Sequence, residues 1–225
     1  MAAITALPNL LITSIWSWRF VIRYIDLEAA ILPAKKKMQR PRAARWVEHV
    51  NAVQTSTRME DWLSNRDSLT ARLVARCAQF RVQRLSQHKA MCLQDEYAAI
   101  GLPRNMKVHE REVFLRCDGI AMVYGHTVVP LTATANEWPL FHALGEKSLG
   151  STLFNDPLVV RGDLSYARLR QSHPLIRRIV ARLPELAGVQ SMLARRSLFW
   201  RKGGCLQVTE VFLPGVESLQ LVEKP

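Results

Sequence analysis

The chain has 225 residues, of which 48% are hydrophobic and 22% are charged, as in an ordinary globular protein. This length allows one domain, with or without an extension, and a core large enough to enclose a small ligand. A formal net charge of +12 attracts nucleic acid, acidic lipid and carboxylate metabolites alike, so it does not choose among them. The four scattered cysteines show no zinc spacing, and they favour buried thiols in a reducing cytoplasm over a disulfide framework.

Residues 1–58 are far more basic per residue than the rest of the chain. They hold nine Lys or Arg and three Asp or Glu, whereas residues 59–225 hold 22 and 16. The uncharged run 2–18 is shorter than the ~20 residues of a membrane span, and it lacks the basic start of a secretory signal. We expect a basic, partly apolar and disordered extension over 1–58 and a folded domain over 59–225. A weak membrane-surface contact and a nucleic-acid-binding arm are the alternatives for the extension.

Helical and strand patterns alternate from residue 59 onward. Asp67-Ser68 has the form of a helix N-cap, and apolar residues recur after it at helical spacing (Leu69, Leu73, Cys77 and Phe80). The span 106–130 predicts two strands joined by Asp118-Gly119, a dipeptide typical of a tight hairpin. The first half of the domain therefore combines a helix with an antiparallel strand pair.

The second half predicts further helices and a second hairpin. We expect a short helix over 136–144, mixed and mainly extended structure over 149–169, and a helix broken by Pro184 over 172–193. Two strands, 196–200 and 206–213, flank Lys202-Gly203-Gly204 and predict the second hairpin. Hairpin-connected strands with helices grouped between them indicate an α+β fold built on an antiparallel sheet.

Two charged residues point toward the apolar side of their predicted strands. Side chains alternate faces along a strand, so Arg111 shares a face with Val113, Leu115 and Cys117. By the same parity, Glu210 shares a face with Leu206, Val208 and Phe212. A charge on an apolar face costs several kcal/mol unless it has a partner. Arg111 and Glu210 are therefore the most informative positions in the sequence.

Two explanations account for these charges. The structural one is a buried ion pair between Arg111 and Glu210, which needs no ligand. The functional one is a closed anion pocket in which Arg111 is the fixed cation and Glu210 is a carboxyl group of tunable protonation. Parity alone leaves both open.

Other catalytic motifs are absent from the sequence. No glycine-rich dinucleotide motif, P-loop or serine elbow occurs, and 145–148 resembles a P-loop only superficially. The six histidines are dispersed, so we expect no metal site, and His126 is interpreted as a packed or surface side chain of a strand.

Short motifs in a fixed order give the chain its resemblance to a family. They run from Asp61-Trp62-Leu63 and Asp67-Ser68-Leu69-Thr70 through Arg111-Glu112-Val113, Asp118-Gly119, Gly125-His126-Thr127-Val128-Val129-Pro130, Leu144-Gly145, Leu149-Gly150, Leu153-Phe154 and Arg195-Arg196-Ser197 to Thr209-Glu210-Val211-Phe212-Leu213-Pro214. Each is weak alone, but their order and spacing over most of 61–215 resemble the chorismate pyruvate-lyases of ubiquinone biosynthesis. The extension has no counterpart in that family.

The resemblance implies a fold, an activity and a set of ligand contacts. It implies an antiparallel sheet whose helical flaps close over an internal ligand cavity, and conversion of chorismate to 4-hydroxybenzoate and pyruvate without a cofactor. The family's pocket arginine and glutamate, both catalytic, fall on Arg111 and Glu210. Two backbone contacts to the ligand fall on Leu69, where methionine is familiar, and Leu149. On this basis we expect a cytoplasmic monomer that binds these small molecules and no nucleic acid.

The mechanism implied for Glu210 is that of a general acid. If apolar surroundings keep this carboxyl protonated, it can donate a proton to the departing enolpyruvyl group. Arg111 is expected to make charge-assisted hydrogen bonds to the ligand.

Two other functions remain as alternatives. One is a non-catalytic small-molecule-sensing domain of the same fold, as in some transcription regulators, although residues 1–58 lack a helix-turn-helix pattern. The other is a basic nucleic-acid-binding protein, which salt-dependent gel shifts would support.

Overall fold

A computed structural model describes residues 43–133 and 137–221 of the chain. Predictions that fall on 1–42 therefore lie outside the described residues. Six antiparallel strands form one sheet in the order β1-β2-β3-β6-β5-β4. The strands are β1 (Phe80–Met91), β2 (Lys107–Cys117), β3 (Ile120–Pro130), β4 (Val159–Arg170), β5 (Ser191–Arg201) and β6 (Gly204–Phe212).

The described residues form four α-helices that pack on this sheet. They are α1 (Thr57–Ser64), α2 (Leu69–Val74), α3 (Leu149–Asn155) and α4 (Pro174–Arg182). Within the described part of the chain, no helix has the length and apolar character needed to cross a membrane. Helices on an antiparallel sheet confirm the predicted α+β class.

Both predicted hairpins are present. The first turn holds Asp118 at φ 50° and Gly119 at φ 80°, and the second holds Lys202 at φ 50° and Gly203 at φ 83°. Positive φ at both central residues gives a twist that matches that of the flanking strands, and glycine adopts it without steric cost.

The two faces of the sheet bury different elements. On the front face, Val113 and Leu115 of β2 pack with apolar residues of α1 and α2. On the back face, Phe114 and Tyr124 pack with α4, whose buried residues are Leu175, Ile176 and Ile179. This alternation along β2 is what the parity argument predicted, because the strand keeps its register with β3 from 108 to 115.

Three segments differ from the sequence-based prediction. Helix α2 ends at Val74, and residues 80–91 form β1, a strand that was not predicted because it is a largely polar edge strand. The span 149–169 contains a helix, α3, before β4. The span 172–193 ends in β5, so its last residues are strand rather than helix.

Part of the predicted extension packs on the sheet. Val47 forms a β-bridge with Tyr166 of β4, and Val53 is buried among the core residues. A 3-10 turn spans Val50–Val53, and a second, Pro139–Phe141, lies within the predicted short helix. The domain boundary at 58/59 stays a prediction, and the packed segment begins before it.

Candidate ligand pocket

A pocket lies on the front face of the sheet, between the strands and helices α2 and α3. Its floor is formed by side chains from all six strands and by one glycine: Val82, Arg111, Val113, Leu115, Gly125, Thr127, Arg161, Arg195, Ser197, Phe199, Val208 and Glu210. The helices contribute Leu69, Thr70, Leu149, Gly150, Leu153 and Phe154. Charged groups and apolar walls thus share one enclosed space, as an anion-binding pocket requires.

Leu69 and Leu149 occupy equivalent positions in the two helices. Each is the first residue of its helix, α2 or α3, so its backbone N–H has no acceptor within that helix. The helix starts are joined by Thr70 and Ser148, whose hydroxyl oxygens are 2.6 Å apart. Ser68 caps α2, as the sequence predicted, by accepting a hydrogen bond from the N–H of Ala71. Both residues predicted to make backbone contacts therefore line the pocket.

Arg111 lines the pocket and is held in a fixed position. Only 2% of its surface is exposed, and its Nη2 donates to the carbonyl oxygens of Gly145 at 3.1 Å and Lys147 at 2.9 Å. Its buried Nε has no hydrogen-bond partner among the described residues. Burial, together with the charge of nearby Arg84, lowers the pKa of Arg111 to about 10. A buried guanidinium with an unused donor and no carboxylate partner is a candidate anion-binding group.

Glu210 does not pair with Arg111. Its partner is Arg195, which lies directly opposite on β5, with Nε and Oε2 2.5 Å apart. The ion pair between Arg111 and Glu210, which the sequence offered as the structural explanation, is therefore wrong, because the partner of Glu210 is Arg195. The surroundings of Glu210 also differ from the apolar ones expected, because Arg195 is in direct contact with it.

Arg195 links the sheet to the end of helix α1. Its Nη1 donates to three backbone carbonyls, those of Trp62 at 3.1 Å, Leu63 at 3.2 Å and Asn65 at 2.6 Å. These carbonyls at a helix C-terminus lack intrahelical partners, so the arginine satisfies them. Arg195 is thus occupied on one side by the helix and on the other by Glu210.

Arg161 of β4 is the third guanidinium in the pocket. A β-bulge between Arg161 and Leu164 inserts one residue into β4 relative to β5. Arg161 consequently shares the front face with Leu164 and Tyr166, although its position in the sequence has the opposite parity. Its Nε donates to Ser197 Oγ at 3.1 Å and its Nη1 to the carbonyl of Arg66 at 2.5 Å.

The charges of the pocket leave an excess of positive charge. Arg111, Arg161 and Arg195 contribute +3 and Glu210 contributes −1, which sums to +2, while Asp67 is exposed at the rim. Of the three arginines and Glu210, the sequence predicted only Arg111 and Glu210 as site residues. The signal for Arg195 was its position opposite Glu210, but the predicted strand began one residue too late to include it.

A separate polar cluster lies behind the sheet, beneath α4. Glu110, Glu112 and His126 are buried and close enough together to hold a metal ion. Arg178 of α4, however, donates from Nη1 to Glu110 at 2.8 Å and to Glu112 at 2.6 Å, so a guanidinium already bridges the two carboxylates. This cluster acts as a buried ionic network that attaches α4 to the sheet.

The family model and the curated relatives that match this chain carry the same description. The model of the chorismate lyase family matches residues 40–219. The chain is 42% identical over 178 residues to the probable chorismate pyruvate-lyase of Cupriavidus metallidurans, covering 79% of this chain and 83% of that protein. It is 45% identical over 157 residues to the probable chorismate pyruvate-lyase of Ralstonia nicotianae, covering 69% and 80%. Among solved structures it is similar to PhnF from Mycobacterium smegmatis, with a TM-score of 0.48 and 15% identity over 71% of this chain and 69% of that one.

Proposed function

This chain belongs to the chorismate lyase family, and we propose that it is a chorismate pyruvate-lyase that forms 4-hydroxybenzoate and pyruvate, the first step of ubiquinone biosynthesis. The observation that carries the proposal is the net charge of +2 that Arg111, Arg161, Arg195 and Glu210 give to a pocket with apolar walls. Chorismate is a dianion with an alicyclic ring, so its charge and its ring both complement this pocket.

The reaction needs one proton acceptor and a leaving group that can carry negative charge. A proton leaves the ring carbon that bears the hydroxyl, and the electrons of that C–H bond form the third ring double bond. The neighbouring ether C–O bond breaks, and the enolpyruvate that leaves takes up a proton on its methylene carbon to become pyruvate. Because the ring becomes aromatic, the elimination is strongly favourable, and the protein has to bind, orient and exclude water.

We assign Arg111 to the ring carboxylate of chorismate, which is also present in 4-hydroxybenzoate. Its unused Nε and its fixed position support a charge-assisted hydrogen bond there. Such bonds are stronger in a pocket closed by apolar groups than in water. The backbone N–H groups of Leu69 and Leu149 are proposed to donate to the same carboxylate, since both residues line the pocket as first residues of helices.

Glu210 is proposed as the group that accepts the ring proton. An ion pair with Arg195 is made by an ionised carboxylate, which can accept a proton but has none to donate. This observation favours the base over the general acid expected from the sequence. Arg195 holds the carboxylate in position, because three carbonyl groups at the end of α1 fix the guanidinium in turn.

The test is to incubate the purified protein with chorismate and to quantify 4-hydroxybenzoate by chromatography and pyruvate by a coupled dehydrogenase assay. We expect equal amounts of the two products, formed faster than in a protein-free control. Tight binding of chorismate without turnover would instead support the non-catalytic sensing domain. Neither binding nor turnover would contradict both functions.

A further inference from the structure

We propose that Arg161 binds the enolpyruvyl carboxylate of chorismate, the substrate group that the aromatic product lacks. This inference rests on the proposed function and adds a substrate-binding residue to it. Chorismate carries a second carboxylate that 4-hydroxybenzoate lacks. Residues that bind only the groups shared by substrate and product therefore leave the enolpyruvyl carboxylate without a partner.

The other two arginines of the pocket are already committed. Arg111 is assigned to the ring carboxylate, and its Nη2 is held by two backbone carbonyls. Arg195 donates from Nε to Glu210 and from Nη1 to three carbonyls at the end of α1. Because Arg195 is paired with Glu210, Arg161 is, besides Arg111, the pocket cation that pairs with no carboxylate of the described residues, and it can take the second carboxylate.

Arg161 is held in place but retains an unused donor. Its Nε and Nη1 donate to Ser197 Oγ and to the carbonyl of Arg66, whereas Nη2 donates to no atom of the described residues. No carboxylate of the described residues forms an ion pair with it. The rings of Phe154 and Phe199 each lie with their centroids 5.5 Å from its guanidinium carbon. A guanidinium fixed between two aromatic rings loses little freedom when it binds an anion.

Arg161 also lies on the correct side of the pocket for this role. Burial lowers the pKa of Arg161, and the charge of Arg195 lowers it further, while Glu210 acts in the opposite direction. Arg161 also donates to Ser197, two residues along β5 from Arg195, so its guanidinium lies near the Arg195–Glu210 pair, which we assign to the ring carbon that loses its proton. In chorismate the enolpyruvyl ether is attached to the neighbouring carbon, whereas the ring carboxylate lies across the ring. The carboxylate nearer to Glu210 is thus the enolpyruvyl one.

The β-bulge is what brings Arg161 to this position. If β4 alternated regularly, Arg161, three residues before Leu164, would lie on the opposite face and would point away from the pocket. Bulges of this kind commonly redirect a side chain next to a ligand site. At Gly162, within the same bulge, an added Cβ would lie 2.6 Å from the ring of Trp200, so a larger residue there would require that ring to move.

The experiment compares Arg161→Gln with Arg111→Gln and with Arg170→Gln, a control at the exposed end of the same strand. Three quantities are measured on the full chain: kcat/KM for chorismate, Kd for 4-hydroxybenzoate by calorimetry, and competitive inhibition by pyruvate. Loss of one charged hydrogen bond predicts a fall of about 10- to 100-fold in kcat/KM for Arg161→Gln, with a change of less than about threefold in the product Kd. Arg111→Gln should weaken both, and Arg170→Gln neither.

Pyruvate inhibition supplies the second readout. Pyruvate carries the carboxylate assigned to Arg161, so it should compete with chorismate in the wild type and lose this effect in Arg161→Gln. Should that variant fail to fold in a thermal unfolding scan, Arg161→Lys keeps a positive charge without the fork of donors and should show the same pattern with a smaller loss.

The outcomes separate the two proposals. Wild-type protein that does not convert chorismate overturns the proposed function itself. Wild-type turnover combined with equal losses of kcat/KM and product affinity in the Arg161 variants overturns the role of Arg161 alone, and so does unchanged kcat/KM. A lower kcat/KM for chorismate and a loss of inhibition by pyruvate, with the Kd for 4-hydroxybenzoate nearly unchanged, support the role of Arg161.

Discussion

Arg195 and Glu210 face each other across β5 and β6, and their side chains form the ion pair at the centre of the pocket, with Nε and Oε2 2.5 Å apart. Only 2% of the arginine side chain is exposed, against 20% for the glutamate. The arginine therefore sits deeper and holds a carboxylate that reaches the pocket. Catalytic carboxylates are often positioned in this way by a residue that does not itself contact the substrate.

Because of this ion pair, we expect Arg195→Gln to destabilise the protein and also to lower kcat. Removing one partner of a buried pair leaves the other charge uncompensated and costs about 3–5 kcal/mol, reduced here because Glu210 keeps partial access to solvent. The three carbonyls at the end of α1 lose their donor as well. Urea unfolding measures the free-energy change, and kcat measures the effect on positioning.

A double-mutant cycle with Glu210→Gln separates the pair from the carbonyl contacts. If the ion pair matters, the double variant should be more stable than the sum of the single losses predicts, by about 1–3 kcal/mol. Strict additivity would show that Arg195 acts only through α1.

Glu210→Gln tests the proposed proton acceptor directly. The amide keeps the shape of the side chain but cannot take a proton, so we expect kcat to fall by about 10²–10⁴-fold, with a folded protein. Glu210→Ala should give a loss of the same order. Glu185→Gln, in an exposed turn after α4, is the matched control and should retain full turnover. Turnover at the wild-type rate in Glu210→Gln would remove Glu210 from the mechanism.

How far the sequence predicts this pocket depends on the regularity of each strand. Parity placed Arg111 and Glu210 each on the apolar face of its own strand, and these faces coincide because β2 and β6 keep their registers with β3 over the relevant residues. The same argument does not identify Arg161, because the bulge in β4 shifts the alternation of side chains by one residue. A bulge depends on the pairing between two strands, so one strand's sequence does not reveal it.

The remaining differences also have local causes. Arg195 was left out because helical periodicity was extended to residue 193, whereas β5 begins at Ser191. Strand β1 alternates weakly, because as an edge strand it has few buried residues. To predict the partner of Glu210, the register of β5 against β6 must be known, and the sequence of one strand does not specify it. Strand faces were therefore predictable, and contacts between strands were not.

Arg111→Ala is predicted to weaken binding of 4-hydroxybenzoate. The variant loses a charge-assisted hydrogen bond to the ring carboxylate, which corresponds to about 1.5–3 kcal/mol or roughly a 10- to 100-fold higher Kd. Isothermal titration calorimetry measures this directly. Arg170→Ala, exposed on β4, removes the same charge outside the pocket and should leave Kd unchanged. Equal Kd values for wild type and Arg111→Ala would refute the assignment of Arg111.

The buried network behind the sheet predicts how stability depends on pH. His126 is fully buried on β3, with Nε2 2.8 Å from Glu96 Oε1 and Nδ1 4.0 Å from Glu110 Oε2. Burial opposes the charged imidazolium, but the two carboxylates outweigh burial and raise the pKa of His126 above its ordinary 6.5. A raised pKa in the folded state means that the charged histidine stabilises the protein fully below pH 6.5. This contribution is lost as pH rises through the folded-state pKa.

The expected result is that the free energy of unfolding of the wild type, relative to His126→Gln, falls as pH increases from about 6.5 upward. Urea unfolding of both proteins at pH 6, 7, 8 and 9 measures the difference. Comparison with the variant cancels the contributions of other titrating groups to the pH dependence. One of them is His109, whose pKa is lowered by burial and whose contribution therefore has the opposite sign. A wild-type advantage that stays constant over this range would mean that His126 is held neutral. The carboxylates of Glu96 and Glu110 would then depend on other groups, Arg178 in the case of Glu110, for their balancing charge.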